Sequence, residues 1–264
     1  MVRCLLAASL ILALSVPAFA ELKIVGIKAR HGRQGPERKS LDITPGDELI
    51  ITFNVTGLRA AAKTDLETFF RVTNADGKVV AENKSTQKDT LAFGGGQVPW
   101  SIAIGIGLDT PPGKYTVAVT FTDKIHNESA TFERTMTVGT PTFAIVRPRL
   151  SYDEAARTDA GTNHLLGNYV FYRLLAVGFD RSMKKYDVTM VVNCLDDKGT
   201  ELMPAPLVVN VKSDNEQMVK AASDITFNGR ILCNRTGTFR LRIVVTDNVT
   251  KKSATFESPL TVTE

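Results

Sequence analysis

GKYTVAVTFTDKIHNESATFERTMTV (residues 113–138) and GTFRLRIVVTDNVTKKSATFESPLTV (residues 237–262) are two versions of one pattern. They align without a gap at an offset of 124 positions. The leading Gly, the Thr-Asp pair, the block Ser-Ala-Thr-Phe-Glu and the closing Thr-Val are identical. Tyr115, Val119 and Ile125 meet Phe239, Ile243 and Val249. Alternate side chains of an extended strand share a face. Tyr115, Val117, Val119 and Phe121 therefore form an apolar face, with Thr116, Ala118, Thr120 and Thr122 opposite. Phe239, Leu241, Ile243 and Val245 are expected at the same sites in the second copy, leaving Arg240 and Arg242 on the wet side. A one-residue slip would reverse every side chain, so the gap-free match sets the register of both hairpins. Phe132 and Phe256 are expected in the core as well.

Upstream the correspondence continues at an offset of 121. Ile24-Val25 falls on Ile145-Val146, Gly46 on Gly167, and Gly57 on Gly178, while DELIITFNVTG matches NYVFYRLLAVG in apolar pattern. The drift in offset marks loop insertions between strands. The chain reads as two copies of one module, expected at residues 21–139 and 140–264. The join falls at the breaker cluster Gly139-Thr140-Pro141. In the first copy LKIVGIKA, DELIITFNV, ETFFRVTN, KVVAE, PWSIAIGI, KYTVAVTFTD and SATFERTMTV are strand-like runs separated by polar turn clusters. The weakest stretches are 57–66 and 151–161, the second containing DEAART, enough for one helical turn. Seven short strands per module and no long helix predict an all-β fold of two tandem antiparallel β-sandwiches.

Pro112-Gly113-Lys114-Tyr115-Thr116-Val117-Ala118-Val119, followed by Thr122-Asp123, resembles the sixth strand of immunoglobulin-like and fibronectin type III-like modules of exported bacterial proteins. The resemblance implies immunoglobulin-like sandwiches, and a Tyr115 hydroxyl bonded back to the preceding turn. The second copy departs, with Thr236-Gly237 and Phe239, and lacks that hydroxyl. The antibody Cys…Trp…Cys pattern is absent, and Trp100 falls on the fifth predicted strand. Fold does not dictate function.

Met1-Val2-Arg3, the apolar run from Cys4 to Val16, and the small residues Ala18 and Ala20 read as a signal peptide, residues 1–20, cleaved before Glu21. No later stretch reaches 18 apolar residues, so the mature chain is expected to have no transmembrane span. The expected product is exported, periplasmic or extracellular. Hydrophobic residues make up 43% and charged residues 23% of the 264 positions, which excludes a largely disordered chain. The formal charge of +4 is too mild, and too dispersed, to suggest a nucleic-acid partner. Cys4 leaves with the leader. Cys194 and Cys233 remain, and an even pair in an oxidising compartment is expected to bridge within the second module. Two cysteines with no nearby His are too few for a metal site.

Convergent chemistry is not visible. His31, His126 and His164 are scattered, and no nucleophile elbow, phosphate loop or dinucleotide fingerprint occurs. Gly94-Gly95-Gly96 lacks the Lys-Ser/Thr of a phosphate cradle and reads as a connector. Asp76, Asp123, Asp196-Asp197 and Asp247 are expected to shape turns. Arg30, His31, Arg33, Arg38 and Lys39 surround Gly32, Gly35 and Pro36. This basic loop, with Arg30, Arg33, Arg38 and Lys39 as its cations, is the candidate site for an anionic glycan, lipid head group or acidic protein face. Asn54, Asn83, Asn127, Asn234 and Asn248 begin Asn-x-Ser/Thr triplets, which also arise in a β-protein rich in Asn turns and Thr strands.

The expected function is non-enzymatic: binding, spacing or scaffolding at the cell envelope, with a protein or glycan partner and without a catalytic residue, cofactor or metal. One alternative is a two-sandwich periplasmic chaperone, for which Arg147 or Arg149 at the joint would supply a basic cleft. Another is an accessory subunit of an envelope enzyme.

Overall fold

Val, Ile, Thr and aromatic residues at alternate positions suit a pleated, half-buried surface, and strands dominate. The computed structural model describes residues 21–58, 63–91 and 96–264. The expected leader and the Gly94-Gly95 pair lie outside the described residues. The first half forms β1 (Lys23–Arg30), β2 (Asp42–Ile43), β3 (Glu48–Thr56), β4 (Lys63–Asn74), β5 (Val79–Thr90), β6 (Gln97–Gly105), β7 (Gly113–Asp123) and β8 (Glu128–Val138). The second forms β9 (Ala144–Ser151), β10 (Asn163–Leu165), β11 (Tyr169–Val177), β12 (Tyr186–Leu195), β13 (Leu207–Ser213), α1 (Glu216–Ala221), β14 (Asp224–Leu232), β15 (Gly237–Asp247) and β16 (Lys252–Thr263).

Each sheet draws on one half alone. The first half pairs β1-β3-β6 in a three-stranded sheet and β2-β8-β7-β4-β5 in a five-stranded one. The second repeats this as β9-β11-β14 and β10-β16-β15-β12-β13. The short β2 and β10 run parallel to β8 and β16, and the other neighbours are antiparallel. First, third and sixth strands on one sheet with the remainder on the other is an immunoglobulin-like arrangement. The chain is thus two tandem β-sandwiches, each with its own apolar core.

The predicted registers hold. Tyr115, Val117, Val119 and Phe121 are buried, as are Leu241, Ile243 and Val245, while Phe239 is partly buried. Phe132 and Phe256 are core residues, and Arg240 and Arg242 face outward onto Glu257. The Tyr115 hydroxyl donates to the Pro111 carbonyl at 2.7 Å. Trp100 is half-buried and packs edge-on against Phe121.

Turn carboxylates hold backbone. Asp123 accepts from the amides of Ile125 and His126, and Asp247 from the amides of Val249 and Asp180. Asp196 accepts from the amides of Lys198 and Thr200. In the corresponding turn of the first module, which holds Asp76, Asn74 accepts from the amides of Asp76 and Lys78.

Three expectations are corrected. DEAART forms turns and no helix; among the described residues the α-helix is α1, begun by Asn215, whose side chain accepts from the amides of Gln217 and Met218. The strand predicted at KVVAE runs on to Thr90. The Cys194–Cys233 bridge is not formed, and both are free thiols. Cys194 on β12 and Cys233 just after β14 line one cavity. Burial pushes both thiols up in pKa, Cys194 with a smaller push from Cys233.

Candidate functional site

The basic loop, residues 30–39, folds over the joint between the sandwiches and divides the four candidate cations. Arg30 turns back on its own module, donating from Nε to Thr52 Oγ1 and from Nη1 to the Gly35 carbonyl. The Arg33 amide crosses to the second sandwich and donates to Asp159 Oδ2 at 2.7 Å. Both residues line a basin of about 700 Å³ with Lys28, Thr52, Asn54 and Trp100. Arg38 and Lys39 instead line a cleft of about 470 Å³ shared with the second sandwich. The four do not converge on one anion site.

Arg38 has a nearly buried side chain. Its guanidinium donates to Asp47 Oδ2 and to the Glu48 carbonyl, both at 2.8 Å. The Arg38 and Asp47 side chains are 7% and 6% exposed. A buried ion pair costs desolvation, which is offset only when remaining donors and acceptors are filled. The condition is met on the carboxylate side, where Asp47 Oδ1 accepts from the Glu48 amide at 2.8 Å and the Arg147 amide at 2.7 Å, while Arg38 Nε is buried without a hydrogen-bond partner. One carboxylate therefore ties the first sandwich to the first strand of the second.

Arg147 occupies the position of Gly26, and β1 and β9 are both bulged there. Gly26 has φ of 64° and Arg147 φ of 50°. Glycine adopts this left-handed conformation freely, whereas a residue with a Cβ is strained by about 1–2 kcal/mol. Arg147 compensates across the joint, its amide reaching Asp47 and its Nε donating to the Gly46 carbonyl at 2.8 Å. Arg149 pairs with Glu48 on the same side. Gly46 itself is tightly enclosed: an added Cβ would meet Leu108 at 2.8 Å and Val177 of the second sandwich at 3.4 Å.

His31 completes the joint, edge-on to Phe256 with ring centroids 5.4 Å apart. Burial, then the Arg38 guanidinium, lowers its pKa to about 4, with Asp47 opposing. His126 belongs to a turn, its Nδ1 2.8 Å from Asp123 Oδ2. His164 is buried on β10, and burial lowers its pKa. The three histidines lie apart, and His31 Nδ1 and both ring nitrogens of His164 are buried without a hydrogen-bond partner.

Asp47 and Glu48 were missed as site residues because DELI reads as an ordinary strand entry. A signal was present in the duplication. Where the copies otherwise match, Gly26, Asp47 and Glu48 face Arg147, Asn168 and Tyr169. These exchanges of charge mark where one copy grips the other.

No family model and no curated protein matches the chain. Among solved structures, BspA_C_mut is similar over 92% of this chain and 98% of its own, at 11% identity and a TM-score of 0.30. A structure of red sea bream transglutaminase is similar over 90% of this chain and 31% of its own, at 7% identity and a TM-score of 0.29. Overlaps this loose carry no argument.

Proposed function

We propose that the protein is a non-enzymatic module exported to the cell envelope, where it holds two sandwich surfaces in a set relation for binding or spacing. The observation that carries this reading is the Asp47 junction. A buried carboxylate with donors from Arg38, Glu48 and Arg147 fixes the orientation of the halves, which a flexible linker would leave free. A fixed tandem presents its loops and edges at constant separation, as a spacer or scaffold requires. The two-sandwich chaperone alternative needs a free basic cleft at the joint, and Arg147 and Arg149 are spent on Gly46 and Glu48 there.

Fractionation of cells producing the full chain, with N-terminal sequencing of the recovered protein, tests the reading. Envelope or extracellular protein beginning at Glu21 is the expected result. Cytoplasmic protein with Met1 intact would overturn it.

A further inference from the structure

The two sandwiches differ at one open flank. β1 lies against β8, and β9 against β16. Counting across from there, five strands facing three leave β5 and β13 overhanging the free edges of β6 and β14. Register identifies which overhanging side chains point inward. On β5 they are Ala81, Ser85, Gln87 and Asp89, opposite the buried Val72, Thr68, Leu66 and Thr64, and all but Ala81 are polar. On β13 they are Leu207, Val209 and Val211, opposite the buried Val192, Met190 and Val188. The first copy therefore meets water with polar groups, as an uncovered flank should. The second presents an apolar row at the same place.

Part of that row is covered. Val211 packs against the core, as does Val219 of α1. Leu207 and Val209 remain 40% and 39% exposed. Leu207 opens onto a cavity of about 620 Å³ with Leu202, Met203 and Ile231, and with Cys194 and Cys233 at its wall. Arg235 stands on its lining, which includes no Asp or Glu, and Arg230 stands at its rim with its guanidinium over the Tyr169 ring. Among the described residues, no strand pairs with the outer edge of β14.

We propose that this groove receives an extended peptide segment of a partner protein, with alternating apolar side chains and a carboxylate. The segment adds to the free edge of β14 as a fourth strand beneath β13. Its main chain pairs with β14, its apolar side chains cover Leu207 and Val209, and its carboxylate meets Arg235. The lining carries cations and no anions, which selects an acidic segment over a basic one. This deepens the proposed binding role and rests on it.

The test uses the mature chain, residues 21–264, and a fluorescein-labelled nonapeptide, Thr-Val-Ser-Val-Thr-Ile-Thr-Val-Glu, with a free C-terminus. Its comparator ends in an amidated Lys. The acidic peptide should bind by fluorescence anisotropy at least fivefold more tightly than the comparator. Val209→Asp should abolish binding, and Arg235→Glu should weaken it at least fivefold. Gln87→Asp, on the equivalent strand of the first copy, should leave it unchanged. Bound peptide should also slow alkylation of Cys194 and Cys233 in the unsubstituted chain, a readout that does not depend on any variant folding. No binding at 1 mM peptide, or binding indifferent to Arg235→Glu, would overturn the proposal. So would a dimer dispersed by Val209→Asp, which would make a second copy the occupant, or displacement of the peptide by a fatty acid at equal concentration. Because isolated protein is used, such a failure would leave the export result untouched.

Discussion

His31 shows how one side chain ties the joint to pH. Its ring packs on Phe256 beside Arg38 and Asp47, in a cleft also lined by Glu37, Lys39 and Glu257. Burial holds its pKa at about 4, against 6.5 in the unfolded chain. Between those values the unfolded state binds more protons, so stability is fully present above pH 6.5 and is lost as pH falls toward 4. The full difference is about 3 kcal/mol. His31→Phe keeps a ring against Phe256 and removes the titration. Calorimetry from pH 7 to 4.5 should show the melting temperature of the unsubstituted chain falling more steeply than that of the variant. Parallel curves would count against this role. His31 was legible in the sequence as part of a basic loop, but its partner Phe256 lies 225 positions away, and no local pattern joins them.

Hairpins were the most legible elements, because alternation and duplication specify the same register. Leu241 is fully buried between Cys194 and Ser258, whereas its neighbour Arg242 reaches outward to Glu257 at 2.7 Å. Leu241→Ala should cost about 2–5 kcal/mol. Arg242→Ala, breaking a partly exposed pair, should cost less than about 1 kcal/mol. Urea denaturation of the two variants checks the register, and the opposite order would refute it. Elements without alternation were read poorly. β5 is exposed along its whole length, and is held by pairing with β4 and by ion pairs such as Lys84–Glu67 and Arg71–Glu82. An apolar pattern cannot reveal such a strand. α1 is six residues long with Val219 as its buried residue, too short to display a helical period.

For the molecule as a whole, Asp47 is the critical group. Asp47→Ala would strand the Arg38 guanidinium in a buried site and free the Arg147 amide. Losing one member of a buried pair costs about 3–5 kcal/mol. The joint should loosen along with this. X-ray scattering should show a larger radius of gyration and broader distance distribution for Asp47→Ala, with the circular dichroism of the sheets retained. An unchanged scattering curve would mean that other contacts hold the halves.

The sequence by itself determined the number of modules, their all-β class and the register of their final hairpins. Those properties rest on side-chain alternation and repetition, which are written along the chain. The tertiary structure alone decided that Asp47 is the junction, that the basic loop divides between two surfaces, and that Cys194 and Cys233 face one cavity as free thiols. These depend on how one sandwich sits against the other and on which flank a five-stranded sheet overhangs. Such placements follow from the sum of many weak contacts between distant residues, and no single segment encodes them.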